Sequence, residues 1–412
     1  MDYAALRQSV GQDAAIRRRQ RLQPVGGKGD KIFPPTYPGE GRNAGPRHVF
    51  ERRRVDGEDV WCVLIDSVQS QANRLEEALL AAAEGGELPL PRLAVDFASA
   101  GFNDLGAISS LDAPHRVFDA ILRDSLLGRE PFMKSEVGQR LQTAKMADAS
   151  AVFELSPTAL LFGAWNSTGE GGGLGAKFPR CLVSEVIAVN TPVDVPHETD
   201  RGGLQVVTAG RRTGSRIDPL GVLRKVEVWK GETGWDVTPQ GAGKGAKKVR
   251  PSEINHGNIA PSVQALGVTC DYAEQVAVIT FAGLRRLRFG ADARNEAARA
   301  VLAALGLAAL LEQDAQGYAL RSRCDLVCEA GSAPLELIRS DGTSQRLEMS
   351  RTAARQLYRD AMAAASAAGF TLQPEPLMLT PQEKLVAIVR ESRRLALEGS
   401  GGEEVEASAA SD

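Results

Sequence analysis

No stretch of this sequence is apolar for long enough to cross a bilayer. The richest, ARAVLAALGLAALLEQ over 298–313, holds about a dozen uncharged residues, where a spanning helix needs roughly 20. It suits a buried helix instead. The opening MDYAALRQSVGQDAAIRRRQ has no apolar h-region, so no secretory signal is expected. Cysteine is scarce and odd in number, five in all, which does not make a disulfide framework and fits a reduced cytoplasm. Cys324 and Cys328 in RCDLVCE share a strand face and read as buried thiols. Only four histidines occur, none at zinc-ligand spacing from a cysteine pair. Paired carboxylates, cysteine–histidine spacing and a nucleophile elbow are all missing. The glycine-rich runs GEGGGLGAKFPR and GAGKGAKK also fall short of a P-loop, because neither Lys177 nor Lys244 is followed by Ser or Thr and a helix. No cofactor or metal is expected.

Net charge is small as well, −3 over 412 residues, but it is unevenly spread. Residues 201–250 carry 11 Lys+Arg against 4 Asp+Glu, whereas 398–412 hold five acids and no base. A basic segment inside a neutral chain can be a nucleic-acid footprint. A solvated lysine-rich loop gives the same count. With 43% hydrophobic and 25% charged residues, the chain can bury one large core or two ordinary ones.

Regular structure is expected to begin after the Pro- and Gly-rich 23–45. The run DVWCVLID reads as a strand and SVQSQANRLEEALLAAAEGG as a helix stopped by glycine. PRLAVDFA, RCLVSEVIAVNT and SAVFELSPTALLFGAW read as strands, and HRVFDAILRDSLLG as an amphipathic helix. GVLRKVEVWKGETGWDVT reads as a β-hairpin. QVAVITFAGLRRLRF, RSRCDLVCE and PLELIRS supply further strands, with helices over the alanine-leucine run and RTAARQLYRDAMAAASAAG.

The helix after DVWCVLID has two stripes. Val68, Ala72, Leu75 and Leu79 face a sheet, while Ser67, Ser70, Gln71 and Arg74 form a wholly polar edge. Asp66 and Gln69 read as a capping pair. The remaining polar edge, at the positive end of the helix, suits a phosphate backbone. Lys177 and Arg180 could meet a polyanion, and Trp165, Asn166 and Ser167 could stack on and bond a base; a solvent-exposed loop and a buried tryptophan are the alternatives. His256, between Asn255 and Asn258, is either a general acid/base for RNA cleavage or a turn residue.

QPVGGKGDKIFPPTYPG, VLIDSVQSQANRLEEAL, WNSTGEGGGLGAKFPRCLVSEV, SEINHGNIAPS and FAGLRRLRFG together resemble one family. It is the Cas-seven backbone subunit (RAMP superfamily) of CRISPR Cascade effector complexes, in the type I-G (formerly I-U) form. The resemblance implies an α+β fold: a modified RNA-recognition-motif, ferredoxin-like palm with a β-hairpin thumb and inserted fingers. The expected division is an irregular arm at 1–50, palm at 51–190, basic thumb at 191–260, palm and C-terminal helices at 261–397, and a disordered acidic tail at 398–412. It also implies crRNA and target DNA as partners, further copies stacked head-to-tail as a filament, other Cascade subunits and a recruited helicase-nuclease, with no membrane. The helix start, Ser67, Gln69, Ser70, Gln71, Asn73 and Arg74, is the implied RNA channel. Basic groups at Lys28, Lys31, Arg211, Arg212, Arg224, Lys225, Lys244, Lys247, Lys248 and Arg250, with Asn255, His256 and Asn258, complete the expected RNA-binding set. Binding through the backbone leaves guide bases free to pair. The competing expectations are a RAMP endoribonuclease, processing guide RNA with His256 or cutting target RNA with Asp66, and a nucleotide-dependent enzyme using the glycine loops.

Overall fold

The computed structural model describes residues 1–39, 47–166, 176–194, 205–206, 211–212, 217–259, 263–264 and 266–399. The chain divides into two compact units. The first comprises Met1–Asp30, Leu64–Asn190 and Cys270–Arg390, the second Lys31–Val63, Thr191–Thr269 and Glu391–Asp412.

The first unit opens with helix α1 (Tyr3–Gln12) and strand β1 (Ala15–Pro24). It continues through the end of β2 (Glu58–Asp66), α2 (Val68–Glu84), β3 (Leu182–Val189) and β4 (Tyr272–Thr280). Helix α3 (Asp292–Gln316), β5 (Tyr318–Arg321), β6 (Cys324–Cys328), β7 (Leu335–Ile338), β8 (Ser344–Leu347) and α4 (Arg351–Ala367) follow. In space the strands stand β5-β6-β1-β4-β3-β2, with β7 pairing both β1 and β8. β1 is antiparallel to β4, β6 and β7, and β3 is antiparallel to β4. The fold is α+β, as expected.

The arm expected at 1–50 is therefore not irregular at its start. β1 is the central strand, and its sequence AIRRRQRLQP hides that role because both faces are polar. Ile16, Arg18, Gln20 and Leu22 are buried on one side. On the other, Arg19 is bidentate to Glu274 at 3.1 and 2.8 Å, Arg17 donates to Glu336 at 2.9 Å, and Arg21 lies 4.1 Å over the Tyr272 ring.

α3 is apolar around most of its circumference, as a helix buried between layers must be. It packs against α1, α2 and α4. Gly306 permits its approach to the sheet, since a Cβ there would stand 2.9 Å from Ile279 Cδ1 and 3.3 Å from Leu182 Cδ1.

A smaller sheet in the same unit runs in the order Ala107–Ser109, Leu93–Asp96, Leu377–Pro381, Ser125–Leu127, Glu130–Pro131. Three expectations are corrected around it. The run SAVFELSPTALLFGAW forms two short helices, Ser150–Leu155 and Pro157–Phe162, with Pro157 at the first turn of the second; proline is tolerated there because no N–H is lost. HRVFDAILRDSLLG forms one 3₁₀ turn and the four-residue helix Ala120–Arg123 before Ser125–Leu127. The strand read through QVAVITFAGLRRLRF ends at Thr280, whose hydroxyl caps helix Phe281–Arg285. A helix over Glu383–Gly399 is an element the sequence reading does not anticipate. Residues 400–412 of the expected tail lie outside the described residues.

In the second unit, Phe50–Val55 pairs with Glu58–Val63 through an Asp56-Gly57 turn, φ +51° and +92°. Both values are positive, as a two-residue I′ hairpin demands. Buried His48 accepts at Nε2 from Gly267 N (2.9 Å), and its Nδ1 stands 3.1 Å from Pro35 O. The expected hairpin at 221–238 is present: Val228–Gly231 pairs with Gly234–Asp236, and Lys247–Val249 joins its other side.

Tyr358 is fully buried in the first unit, and among the described residues its hydroxyl has no hydrogen-bond partner. A buried unmet hydroxyl costs roughly 1–3 kcal/mol. Tyr358→Phe should therefore leave the melting temperature unchanged or raise it in a thermal melt; a clear fall would reveal a partner for the hydroxyl.

Candidate nucleic-acid interfaces

The polar edge of α2 does not face solvent. Ser67 is the N-cap, its Oγ accepting from Ser70 N at 3.2 Å, which corrects the Asp66–Gln69 capping pair. Asp66 is turned inward at 0% exposure. Its Oδ2 accepts from Gln71 Nε2 (2.7 Å) and Arg74 Nε (2.9 Å), and its Oδ1 from Arg321 Nη2 (3.0 Å). Gln71, also 0% exposed, accepts at Oε1 from Ser184 Oγ (2.9 Å) and Gln275 Nε2 (2.8 Å). Arg74 further donates to Leu320 O. The wheel places these side chains on one edge, but that edge abuts strands that are themselves polar. Of the expected channel residues, Gln69 and Asn73 are exposed, Ser67, Ser70 and Arg74 are half-buried, and Gln71 belongs to the core.

A second group lies at the root of the glycine-rich loop. Trp165 pairs across a short ladder with Lys177, and the ammonium sits 5.5 Å over the exposed indole ring. Gly163 adopts φ +84°, and a Cβ there would meet Arg180 Cγ at 3.0 Å and Phe178 O at 3.1 Å, so only glycine fits this corner. Behind it, Arg116 donates to both oxygens of buried Glu76 (2.7 and 2.6 Å) and to Gly163 O (3.1 Å). Burial pushes the Glu76 carboxyl up to about 7, with Arg116 opposing. Arg180 is half-buried, and among the described residues its Nε has no partner; burial and then Arg116 lower its pKa, while Glu76 acts the other way. The result is an exposed indole, an exposed ammonium and an uncommitted guanidinium N–H at one hairpin. Asn166 is buried, and Ser167 lies outside the described residues.

The third group belongs to the second unit. Lys230 stands opposite both Trp235 and Lys247, so the indole and two ammonium groups share one sheet face. Trp235 is 51% exposed, and the His256 ring meets it edge-on at 5.4 Å. Sequence reasoning missed Lys230 and Trp235, although a tryptophan beside a Gly-Glu-Thr-Gly turn flanked by lysines was visible. Arg224, Lys225, Lys244 and Arg250 are exposed nearby in the chain. Lys248 is on the opposite face, paired with Glu227 at 2.5 Å. Asn255 holds φ +59° after a 3₁₀ turn, and Asn258 Oδ1 accepts from Asp218 N at 2.7 Å. Arg211 and Arg212 form a ladder with Gln264 and Val263; their side chains lie outside the described residues. In the N-terminal segment, Lys28 is exposed and pairs with Glu329, while Lys31 is half-buried. Among the described residues no three His, Cys, Asp or Glu side chains gather as a metal set, and no helix is long and apolar enough to cross a membrane.

A family model described as CRISPR-associated protein GSU0053 matches residues 16–193, fewer than half of the 412. No curated protein matches the chain. Among solved structures, the crystal structure of Thermofilum pendens Csc2 aligns over 95% of this chain and 80% of that one, at 10% identity and a TM-score of 0.26. At that score the alignment carries no structural argument.

Because Gln71 is in the core, Gln71→Ala should lower stability by roughly 1–3 kcal/mol for each partner left unmet, read by urea unfolding; an unchanged midpoint would return Gln71 to the surface. Glu76 gives a pH signature. Its folded pKa is raised, so its contribution is fully present below the unfolded value near 4.5 and is lost as pH rises through about 7. The stability of Glu76→Gln relative to the native chain should therefore improve between pH 5 and 8, by at most on the order of 3 kcal/mol. A pH-independent difference would mean that Arg116 fully offsets the burial.

Proposed function

We propose that this protein is a non-catalytic, RNA-binding backbone subunit of a CRISPR effector complex, of the Cas-seven type I-G kind. It holds guide crRNA by its phosphate backbone, stacks head-to-tail on further copies as a filament, and presents guide bases for pairing with target DNA. Other Cascade subunits and a recruited helicase-nuclease complete the assembly, in the cytoplasm.

The observation that carries this reading is a repeated device: an exposed tryptophan set against lysine across a short antiparallel ladder, as Trp165–Lys177 and as Lys230–Trp235–Lys247. An indole stacks on any base and an ammonium meets any phosphate, so the device binds nucleic acid without reading sequence. A guide carrier that must accept every spacer needs that property. The match of residues 16–193 to a CRISPR-associated family supports the setting.

Strand order supports a ferredoxin-like palm. With other elements inserted between them, β1, α2, β3, β4, α3 and β6 occur in that order along the chain, and the four strands stand β6-β1-β4-β3, the 4-1-3-2 arrangement of a βαββαβ unit. The thumb is read in the chain between β3 and β4, where the tryptophan-bearing three-stranded sheet occurs.

The non-catalytic part is supported by the setting of the two residues expected of an endoribonuclease. Asp66 is buried with both carboxylate oxygens engaged. Among the described residues the His256 ring meets Trp235 and no acid.

The test is fluorescence anisotropy with short single-stranded RNAs of shuffled sequence across a salt series. Trp165→Ala with Lys177→Ala should weaken all sequences alike, about 10-fold or more, since stacking contributes roughly 1–3 kcal/mol per base. The salt slope should shrink by about 0.7 for the lost phosphate contact. Unchanged affinity, or strong preference for one sequence, would sink the backbone reading. RNA cleavage that disappears in His256→Ala would replace it with an endoribonuclease.

A further inference from the structure

We infer that the arginine ridge after β4, formed by helix Phe281–Arg285 and the start of α3, is a second phosphate-backbone surface, separate from the tryptophan hairpins. Residues 284–299, LRRLRFGADARNEAAR, hold five arginines against two acids. The way these arginines are held is the unusual feature. Arg285 donates to Val10 O (2.7 Å) and Asp13 O (2.8 Å), and Arg299 to Leu287 O (3.1 and 2.8 Å). Arg294 donates to Phe289 O (3.1 Å) and Gly369 O (2.7 Å), with its guanidinium 3.7 Å from the centre of the Phe370 ring. All these acceptors are neutral, so the guanidinium groups are positioned but not neutralised. Arg286 and Arg288 are exposed, and among the described residues neither side chain has an ion pair or hydrogen bond.

The arginines also act on one another. Arg299 is held below the usual arginine range by burial, then by Arg288 and Arg285, with Asp292 and Glu296 only partly opposing. Glu296 also faces Arg7 at 3.6 Å. Concentrated like charge disfavours the compact state unless a counter-charge binds.

The ridge is rigid as well. Arg288 N donates to Met146 O (2.9 Å), Arg288 O accepts from Ala149 N (2.8 Å), and Phe289 N donates to the buried Asn295 Oδ1 (2.7 Å). A pinned backbone carrying free guanidinium forks is pre-organised for oxyanions, which arginine grips in bidentate fashion.

The chemistry selects nucleic acid over a protein partner. The ridge's apolar residues Leu284, Leu287 and Phe289 are all buried, which leaves charge but none of the apolar anchors that hold protein interfaces together. It also offers no exposed aromatic for stacking, so it would grip phosphates and ignore bases. This rests on the reading that the protein binds nucleic acid, but at different residues.

The experiment compares Arg286→Ala with Arg288→Ala in one chain against the Trp165→Ala, Lys177→Ala chain, using mixed-sequence single-stranded RNA and a DNA duplex of equal length over a salt series. The ridge variant should bind at least one probe about tenfold more weakly, with a salt slope smaller by about 1–2 and an unchanged melting temperature. Arg286→Lys with Arg288→Lys should retain most of the slope, which separates lost charge from lost fold. If the ridge variant binds both probes as the native chain does while the hairpin variant fails, the ridge proposal alone is overturned. If neither variant differs, the nucleic-acid reading falls with it. Poly-glutamate displacing both probes from the hairpin variant at equal charge concentration would assign the ridge to an acidic protein and overturn the proposal.

Discussion

The first unit depends on a buried polar network set within its apolar core. Fully buried Arg18 on β1 donates to Asp314 Oδ2 (2.5 Å) and to Gln275 Oε1 (2.8 Å), and Tyr318 OH donates to Asp314 Oδ1 at 2.6 Å. Gln275 Nε2 carries the network on to Gln71, Ser184 and Gln313. Strands β1, β3, β4 and β5 and helices α2 and α3 are thus cross-linked, although Arg18 Nε has no hydrogen-bond partner among the described residues. Burying a cation costs several kcal/mol unless every partner is in place. Such a network is weak evidence for high stability. Its geometric demand is strong, because a one-residue slip of β1 would turn Arg18 to the opposite face and set Arg17 or Arg19 beneath the helices.

The same constraint separates structural arginines from available ones. Arg18, Arg74, Arg116 and Arg321 all end on acids that are themselves buried or nearly so. Charge counting treats them as equal to Lys177 or Lys247, yet their fields are closed within the protein. The arginines and lysines left uncompensated are those whose partners are aromatic rings or backbone carbonyls.

This explains which parts of the molecule were legible in its sequence. β2, β3, β7, α3, α4 and the 228–236 hairpin follow ordinary alternation, helical period or glycine turns, and they were read from them. The Asp56-Gly57 hairpin carried an equally plain signal that was passed over. β1 was not legible, since AIRRRQRLQP alternates buried with exposed without alternating apolar with polar. The polar edge of α2 failed for the mirror-image reason: a helical wheel shows which residues share an edge but not what that edge touches, and here it touches Ser184 and Gln275. Two of the expected loop residues, Trp165 and Lys177, do come together as partners in one short ladder, close in sequence. Lys230, Trp235 and Lys247 needed strand register, which no single stretch encodes.

The long excursion between β3 and β4 leaves and returns at nearly one point. Val189 pairs with Tyr272, Asp271 N donates to Val189 O at 3.1 Å, and Asn190 Nδ2 donates to Asp271 Oδ2 at 2.7 Å. The two strands are closed by their own ladder at the very place where the insertion begins. Loop-closure entropy grows only slowly with length, and these contacts already fix the ends. The ends of the 191–269 segment are therefore held by the β3–β4 ladder itself, so a change in the length of the segment leaves the pairing of those two strands in register.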